Sequence, residues 1–197
     1  HQRLGNRRVP ISGGIELTRR CPLACVHCYN NLPLNDVEAK GRELTAAEHC
    51  RILDEIAAAG CLWLLFTGGE IFVRPDFLEI YAHAKRRGFL ITLFTNATTI
   101  TPHIADQLAE HRPFSIEVTL YGATPGTYER ITGTPGSYER CLRGIRLLSE
   151  RGLPVRLKSM ALTENVHELE AMAELAEREL GCPFRFDGLI NCRVDCT

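Results

Sequence analysis

Net charge, long apolar runs and low-complexity segments are all scarce in this 197-residue sequence. With 23 Lys and Arg against 24 Asp and Glu, the formal net charge is −1. That balance offers no long-range attraction to nucleic acid or to anionic lipid, so neither is expected as a partner. No apolar run approaches the about 20 residues that a membrane-spanning helix requires, and no membrane association is expected. No signal peptide is visible, and a cytoplasmic location is expected. No Pro-, Gly- or Ser-rich stretch divides the interior, and 45% hydrophobic with 24% charged residues suits one globular unit. A chain of this size buries roughly 70% of the surface of its unfolded form, enough for a core without covalent staples.

Cysteine, by contrast, is abundant, with nine residues, an odd number. An odd count argues against a closed disulfide framework, and in a reducing compartment clustered cysteines bind metal more often than they pair. Three fall within the stretch Cys21-Pro-Leu-Ala-Cys25-Val-His-Cys28-Tyr-Asn. Cys50, Cys61, Cys141, Cys182, Cys192 and Cys196 lie outside it. Cys50 and Cys141 fall among helical residues, where a small buried hydrophobe is the ordinary reading. Cys192 and Cys196 are either the first ligands of a further cluster or incidental thiols of the tail.

Around this motif the chain alternates between two periodicities. Apolar or β-branched runs at Gly14–Thr18, Leu62–Thr67, Leu90–Thr95, Ser115–Leu120, Pro154–Leu162 and Phe184–Ile190 predict six strands. Between them lie segments with helix ends. Thr45 and Glu48 form a capping box with Gly60 as the stop, Pro75-Asp76 opens a helix that Gly88 ends, and Thr101-Pro102 is a cap with proline at the first helical position. Ser137 opens a helix that ends before Gly152, with Cys141, Leu142, Ile145 and Leu148 on one face; a fifth helix spans Val166 to Leu180. Strands separated by helices predict an α/β fold with parallel pairing and right-handed crossovers. Six strands fall short of a full eight-unit barrel. An open partial barrel and a doubly wound sheet both satisfy the pattern. The stretch Tyr29–Glu43 reads as a long irregular loop, placed to act as a lid.

Ligands of parallel α/β folds bind at the carboxyl ends of the strands. Here those ends carry Cys21, Cys25 and Cys28, then Thr67-Gly68-Gly69-Glu70, Thr95-Asn96, Thr119-Leu-Tyr121-Gly122, Lys158-Ser159 and Asp187-Gly188. Iron–sulfur clusters normally take four thiolates. The spacing here supplies three and leaves one iron open, much as catalytic zinc keeps an open position. The alternative is zinc held by the three thiols and His27. Structural zinc sites draw their ligands from two separated knuckles, and His27 adjoins Cys28, so His27 reads more simply as a loop residue between ligands.

Cys21-x3-Cys25-x2-Cys28 followed by Tyr29 resembles the signature of the radical S-adenosylmethionine (radical SAM) enzymes. The resemblance implies a partial (β/α)6 barrel, a [4Fe-4S] cluster on Cys21, Cys25 and Cys28, and S-adenosylmethionine chelating the fourth iron. Gly68-Gly69-Glu70 is similar to the family's GGE motif, whose backbone edge and carboxylate accept hydrogen bonds from the amine of S-adenosylmethionine. Ile71 stands where the family usually has proline. By the same resemblance Tyr29 contacts the adenine, and Asn96 and Thr119 lie near the ribose or carboxylate. Arg130 and Lys158 are candidates for pairing with the carboxylate, with solvated charges as the plainer reading.

Tyr121-Gly122 and the run from Tyr128 through Gly133 and Gly136 to Arg140 resemble the subgroup that carries a C-terminal SPASM domain, whose members commonly modify peptides and proteins. The domain reading is therefore an N-terminal extension over 1–13, a radical SAM core over 14–190, and the start of a truncated or absent C-terminal extension over 191–197. The function implied is cleavage of S-adenosylmethionine by an electron from an external one-electron donor, giving a 5′-deoxyadenosyl radical that modifies a peptide or protein substrate. The rival reading is a non-catalytic, metal-stabilised α/β scaffold that binds a peptide at its open sheet edges.

Overall fold

Every long crossover of the chain returns the next strand to the side of the one before. The computed structural model describes residues 9–30 and 32–189. Ile190, Cys192 and Cys196 lie outside the described residues. The strands are β1 (Ser12–Glu16), β2 (Arg20–Cys21), β3 (Leu32–Pro33), β4 (Trp63–Thr67), β5 (Leu90–Thr95), β6 (Ser115–Thr119), β7 (Val155–Met160) and β8 (Phe184–Asp187). The helices are α1 (Val37–Gly41), α2 (Ala46–Ala58), α3 (Phe77–Arg86), α4 (Pro102–Glu110), α5 (Pro125–Thr132), α6 (Ser137–Ser149) and α7 (Leu169–Glu174). Six strands form one parallel sheet in the order β1-β4-β5-β6-β7-β8, and β2 and β3 form a separate short parallel pair. A doubly wound sheet reverses its strand order at a switch point. This sheet never reverses, so right-handed crossovers place the helices on one face and leave the other concave. The outcome is the partial barrel, with β1 and β8 as its two edges.

Alternation along the strands divides core from cavity. Leu64 and Phe66 of β4, Ile91 and Leu93 of β5, Ile116 and Val118 of β6 and Leu157 of β7 are buried in one continuous core with the helices. Their neighbours Leu65, Thr67, Phe94, Thr119, Lys158 and Met160 face the concave side, where they line a cavity. The expected helix ends are in place. Thr45 and Glu48 satisfy each other's backbone donors at the start of α2, and Thr101 caps α4 with Pro102 in its first turn.

Two helices and one tether were not foreseen. α5 begins at Pro125-Gly126, a pair that reads as a turn, yet Thr124 caps it and proline costs nothing at a first helical position. The last helical segment is not one regular helix: a 3₁₀ turn at Val166–Glu168 leads into α7, and a π turn at Leu175–Glu179 follows it. The stretch Tyr29–Glu43, expected to be an irregular lid, instead contains β3 and α1 and ends in an ion network. Glu43 accepts from Arg20 at 2.8 and 3.0 Å and from Thr18, and lies 3.6 Å from Arg74. Arg74 in turn pairs with Asp76 at 2.7 Å and donates to the carbonyls of Leu17 and Leu44. Burial alone would raise the Glu43 carboxyl, but the hydrogen bonds from Arg20 and Thr18 outweigh it and hold the group below the usual range. Its stabilising effect is therefore present above the ordinary carboxylate pKa and is lost as acid protonates it. Glu43→Gln leaves Arg20, immediately before Cys21, buried without its counter-charge. A loss of about 3–5 kcal/mol of stability is expected in urea unfolding.

Candidate active site at the strand ends

The three clustered thiols are held by the segment that the helix α5 supports. Ala24 N–H donates to Thr132 O at 2.8 Å and Val26 N–H to Ile131 O at 2.9 Å, so the cysteine loop rests on the last turn of α5. Cys28 N–H closes a turn onto Cys25 O at 3.1 Å. Donors point at the sulfurs: Leu23 N–H and Asn96 Nδ2 each lie 3.5 Å from Cys21 Sγ, and Asn30 N–H lies 3.4 Å from Cys28 Sγ. Cys21 and Cys25 are buried beside Leu23, with Cys28 and Tyr121 packed against them. Burial pushes the Cys21 thiol up to about 12 and the Cys25 thiol higher still. Thiols in such surroundings ionise when a metal centre takes their charge.

Gly68-Gly69-Glu70 is bound to this same segment. Gly69 N–H donates to Thr18 O at 2.7 Å and Glu70 N–H to Arg20 O at 2.9 Å. A Cβ on Gly68, whose φ is +134°, would stand 2.2 Å from Thr18 O, and one on Gly69 would stand 2.3 Å from Arg20 O. Both glycines are therefore required for the close approach of two backbones, whatever else they contact. The Glu70 carboxylate is fully buried. It accepts from Phe72 N–H at 3.2 Å, Asn96 N–H at 2.8 Å and the Thr95 hydroxyl, which lies 2.9 Å from both oxygens. It buckles the end of β4 to the end of β5.

Burial raises the Glu70 carboxyl to about 7, against the pull of its donors. A carboxyl raised on folding contributes stability below its unfolded pKa and loses it as pH rises through the folded value. The contribution of Glu70 should therefore decline between about pH 4.5 and pH 7, and the difference between the parent and Glu70→Gln in chemical unfolding at a series of pH values should change across that window.

These elements meet at a cavity of about 520 Å³ at the carboxyl ends of the strands. Cys21, Cys25 and Cys28 line it, as do Gly68, Gly69, Tyr29, Asn96 and Thr119. Glu70 stands behind the wall, reaching it through Thr95 and Asn96. Tyr29 donates its hydroxyl to Glu16 at 2.7 Å. Arg130 is not among the lining residues; its guanidinium bonds Thr127 Oγ1 and Glu164 O at the end of α5. Lys158 does line the cavity, with Nζ 2.8 Å from the centre of the Phe94 ring and 3.5 Å from Glu117 Oε2.

Residues 15–176 match the Radical SAM superfamily. The chain belongs to that superfamily. Among relatives, it is 37% identical over 167 residues to the PqqA peptide cyclase of Ruegeria pomeroyi, covering 85% of this chain and 44% of that protein. It is 36% identical over 166 residues to the AdoMet-dependent heme synthase of Methanosarcina barkeri, covering 84% of this chain and 46% of that one. The chain thus spans less than half the length of these relatives. Streptococcus suis SuiB bound to S-adenosylmethionine superposes with a TM-score of 0.78 at 17% identity, over 94% of this chain and 43% of SuiB, a likeness of fold.

A radical SAM cluster suits the donor set: three thiols at one end of the cavity, amide donors aimed at two of their sulfurs, and a buried apolar backing. The zinc alternative lacks its fourth ligand in this arrangement. His27, the fourth ligand that zinc would need, instead turns Nε2 to Tyr121 Oη at 3.2 Å, with the two rings edge-on. Cys21, Cys25, Cys50, Cys61, Cys141 and Cys182 are free thiols, which leaves no disulfide among them. Cys141 is buried in the core as expected, whereas Cys50 is half-exposed.

Sequence reasoning missed Phe94 and Arg185 as wall residues, whereas Tyr121, named among the strand ends, does line the cavity. Strand alternation carried the signal: Phe94 has the parity opposite to buried Ile91 and Leu93, and Arg185 shares that of Asp187, which also lines the cavity. Arg185 shares Glu117 with Lys158, bonding the same oxygen at 2.7 Å. Burial lowers the Lys158 ammonium to about 8 despite the attraction of Glu117.

Proposed function

We propose that this chain is the catalytic core of a radical SAM enzyme that modifies a peptide or protein. The observation that carries the reading is the meeting of Cys21, Cys25 and Cys28 with the Gly68–Gly69 backbone on one cavity wall. In this reading Cys21, Cys25 and Cys28 hold a [4Fe-4S] cluster, and Gly68, Gly69, Tyr29, Asn96 and Thr119 shape the pocket for S-adenosylmethionine. When bound, the cluster supplies the electron that breaks the C5′–S bond of S-adenosylmethionine and yields a 5′-deoxyadenosyl radical for hydrogen abstraction. The chain's own residues bind, orient and exclude water: the apolar wall of Leu23, Leu65 and Phe94 keeps the reacting centre dry, and Glu70 fixes the ends of β4 and β5 on which the pocket depends. An external one-electron donor completes the system.

The peptide substrate is supported by the PqqA peptide cyclases among the relatives. A tetrapyrrole is the second reading, carried by the heme synthase of M. barkeri at a similar identity.

The test is anaerobic reconstitution with iron and sulfide, followed by reductant and S-adenosylmethionine. A brown protein that releases 5′-deoxyadenosine supports the enzyme, and stimulation by short peptides rather than by an iron porphyrin supports the peptide class. A colourless protein that binds neither iron nor S-adenosylmethionine would return the scaffold reading to the front.

A further inference from the structure

Asn96 stands at the end of β5 in a turn that is fixed from several directions. Its backbone N–H donates to Glu70 Oε2 at 2.8 Å. The next residue, Ala97, holds φ at +59° while fully buried, a left-handed conformation that persists in a non-glycine residue only where its surroundings enforce it. Gly144 of α6 presses on that turn, close enough that a Cβ would lie 2.0 Å from Ala97 O.

The side chain is fixed as firmly as the backbone. Asn96 Oδ1 accepts from Thr98 N–H at 2.9 Å and from Thr98 Oγ1 at 2.6 Å. Two donors on one side of the amide determine which atom is oxygen, because an –NH₂ group there would face an N–H that can only donate. The nitrogen must therefore face the other way, and there it meets Cys21 Sγ at 3.5 Å. Asn96 is buried. A second N–H on Nδ2 remains for the cavity that Asn96 lines, so the contact to sulfur does not conflict with a role toward a bound ligand.

The reduction potential of an iron–sulfur cluster depends on hydrogen bonds to its sulfurs, and donors to a thiolate favour the more negative, reduced state. Resting on the cluster reading above, we propose that Asn96 is a tuning residue, donating from Nδ2 to the Cys21 sulfur and so making the cluster easier to reduce. Glu70 acts behind it as a positioning residue, holding the Asn96 backbone from the core. This gives the buried carboxylate of the Gly68-Gly69-Glu70 motif a task that does not require it to reach the cavity.

The experiment compares the reconstituted 197-residue chain with Asn96→Leu, which removes the donor, and with Asn96→Asp, which keeps an acceptor for Thr98 but turns an anionic oxygen toward Cys21. Iron and sulfide are counted first, and the midpoint potential is then read by EPR-monitored titration without S-adenosylmethionine. The equilibrium constant for reduction should fall about tenfold in Asn96→Leu, about 59 mV for a one-electron couple, and further in Asn96→Asp. A purely structural role for Asn96 would lower melting temperature or cluster content without moving the potential of the clusters that do form. A wild-type potential in either loaded variant overturns the proposal. So does a loss of cluster in both variants, which would give Asn96 a role in assembly instead. Failure of the wild-type chain to bind a cluster would strike the function proposed above, and the two failures are thereby told apart.

Discussion

Cys28→Ala will reduce cluster loading and 5′-deoxyadenosine release to background while leaving the fold nearly as stable as the parent. The two halves of this expectation have different physical sources. Loading fails because, on the function proposed above, Cys28 supplies one of the three thiolates that hold the cluster, and its loss is not made good by a neighbour among the described residues. His27, the adjacent candidate, is turned toward Tyr121 with its rings in edge contact. Stability survives because Cys28 is only half-buried and is not among the buried residues of the core around Leu64 and Phe66. Its sulfur accepts Asn30 N–H at 3.4 Å, and losing a hydrogen bond of that kind costs about 1 kcal/mol. Iron and sulfide analysis, product quantification and a melting curve on the same preparation would check both halves. Wild-type loading in Cys28→Ala would mean that the sulfur is not a ligand and would remove the basis of the proposed function.

Much of this arrangement could be read before any coordinates, and the reasons are specific. Strand alternation is local, so the six strands and the buried faces of Leu64, Phe66, Ile91 and Leu93 follow from the sequence alone. Capping is local as well, which is why α2 and α4 begin where Thr45 and Thr101 indicate. The three thiols declare themselves through their spacing. The choice between a doubly wound sheet and a partial barrel was legible only through the family resemblance of the cysteine motif, not from the alternation of strands and helices, because strand order depends on which edge each crossover selects. The helix α5 was hidden by Pro125-Gly126, residues that fit a turn as readily as a first helical turn. The Arg20–Glu43–Arg74 network was hidden for another reason: its members are separated by more than twenty residues and none belongs to a recognisable motif. Asn96 shows the same limit at the site. Its position at a strand end marked it as a candidate, but its amide orientation depends on Thr98, and its target, Cys21, is 75 residues away.

Gly69→Ala is expected to be more damaging than its single methyl group suggests. The ordinary reading of paired glycines beside a cofactor is that they let the ligand approach the backbone. Here the space beside Gly69 is already taken by protein, since a Cβ would lie 2.3 Å from Arg20 O and 2.7 Å from Arg19 O. Neither atom can swing aside as a side chain would. Relief requires β2 to move, and β2 carries Cys21 and the Arg20 guanidinium that Glu43 holds. The bond from Glu70 N–H to Arg20 O would break with the same movement, leaving a buried donor and acceptor unpaired. Overpacking against rigid neighbours costs about 1–3 kcal/mol, and the broken bond adds a similar amount, so a loss of about 3 kcal/mol or more is expected. Cluster loading should fall with it, because Cys21 moves while the loop that carries Cys25 and Cys28 stays tied to α5 through Ala24 and Val26. Gly41→Ala is the matched control: nothing lies within 4 Å of its Cβ position in α1, so the added methyl should be neutral or slightly stabilising. Urea unfolding and iron analysis of the two variants side by side would decide the matter. If Gly69→Ala loads iron and unfolds like the parent, the glycine pair exists for the ligand alone; if it loses both, the motif is first a clamp on the cysteine segment and only then a wall of the pocket.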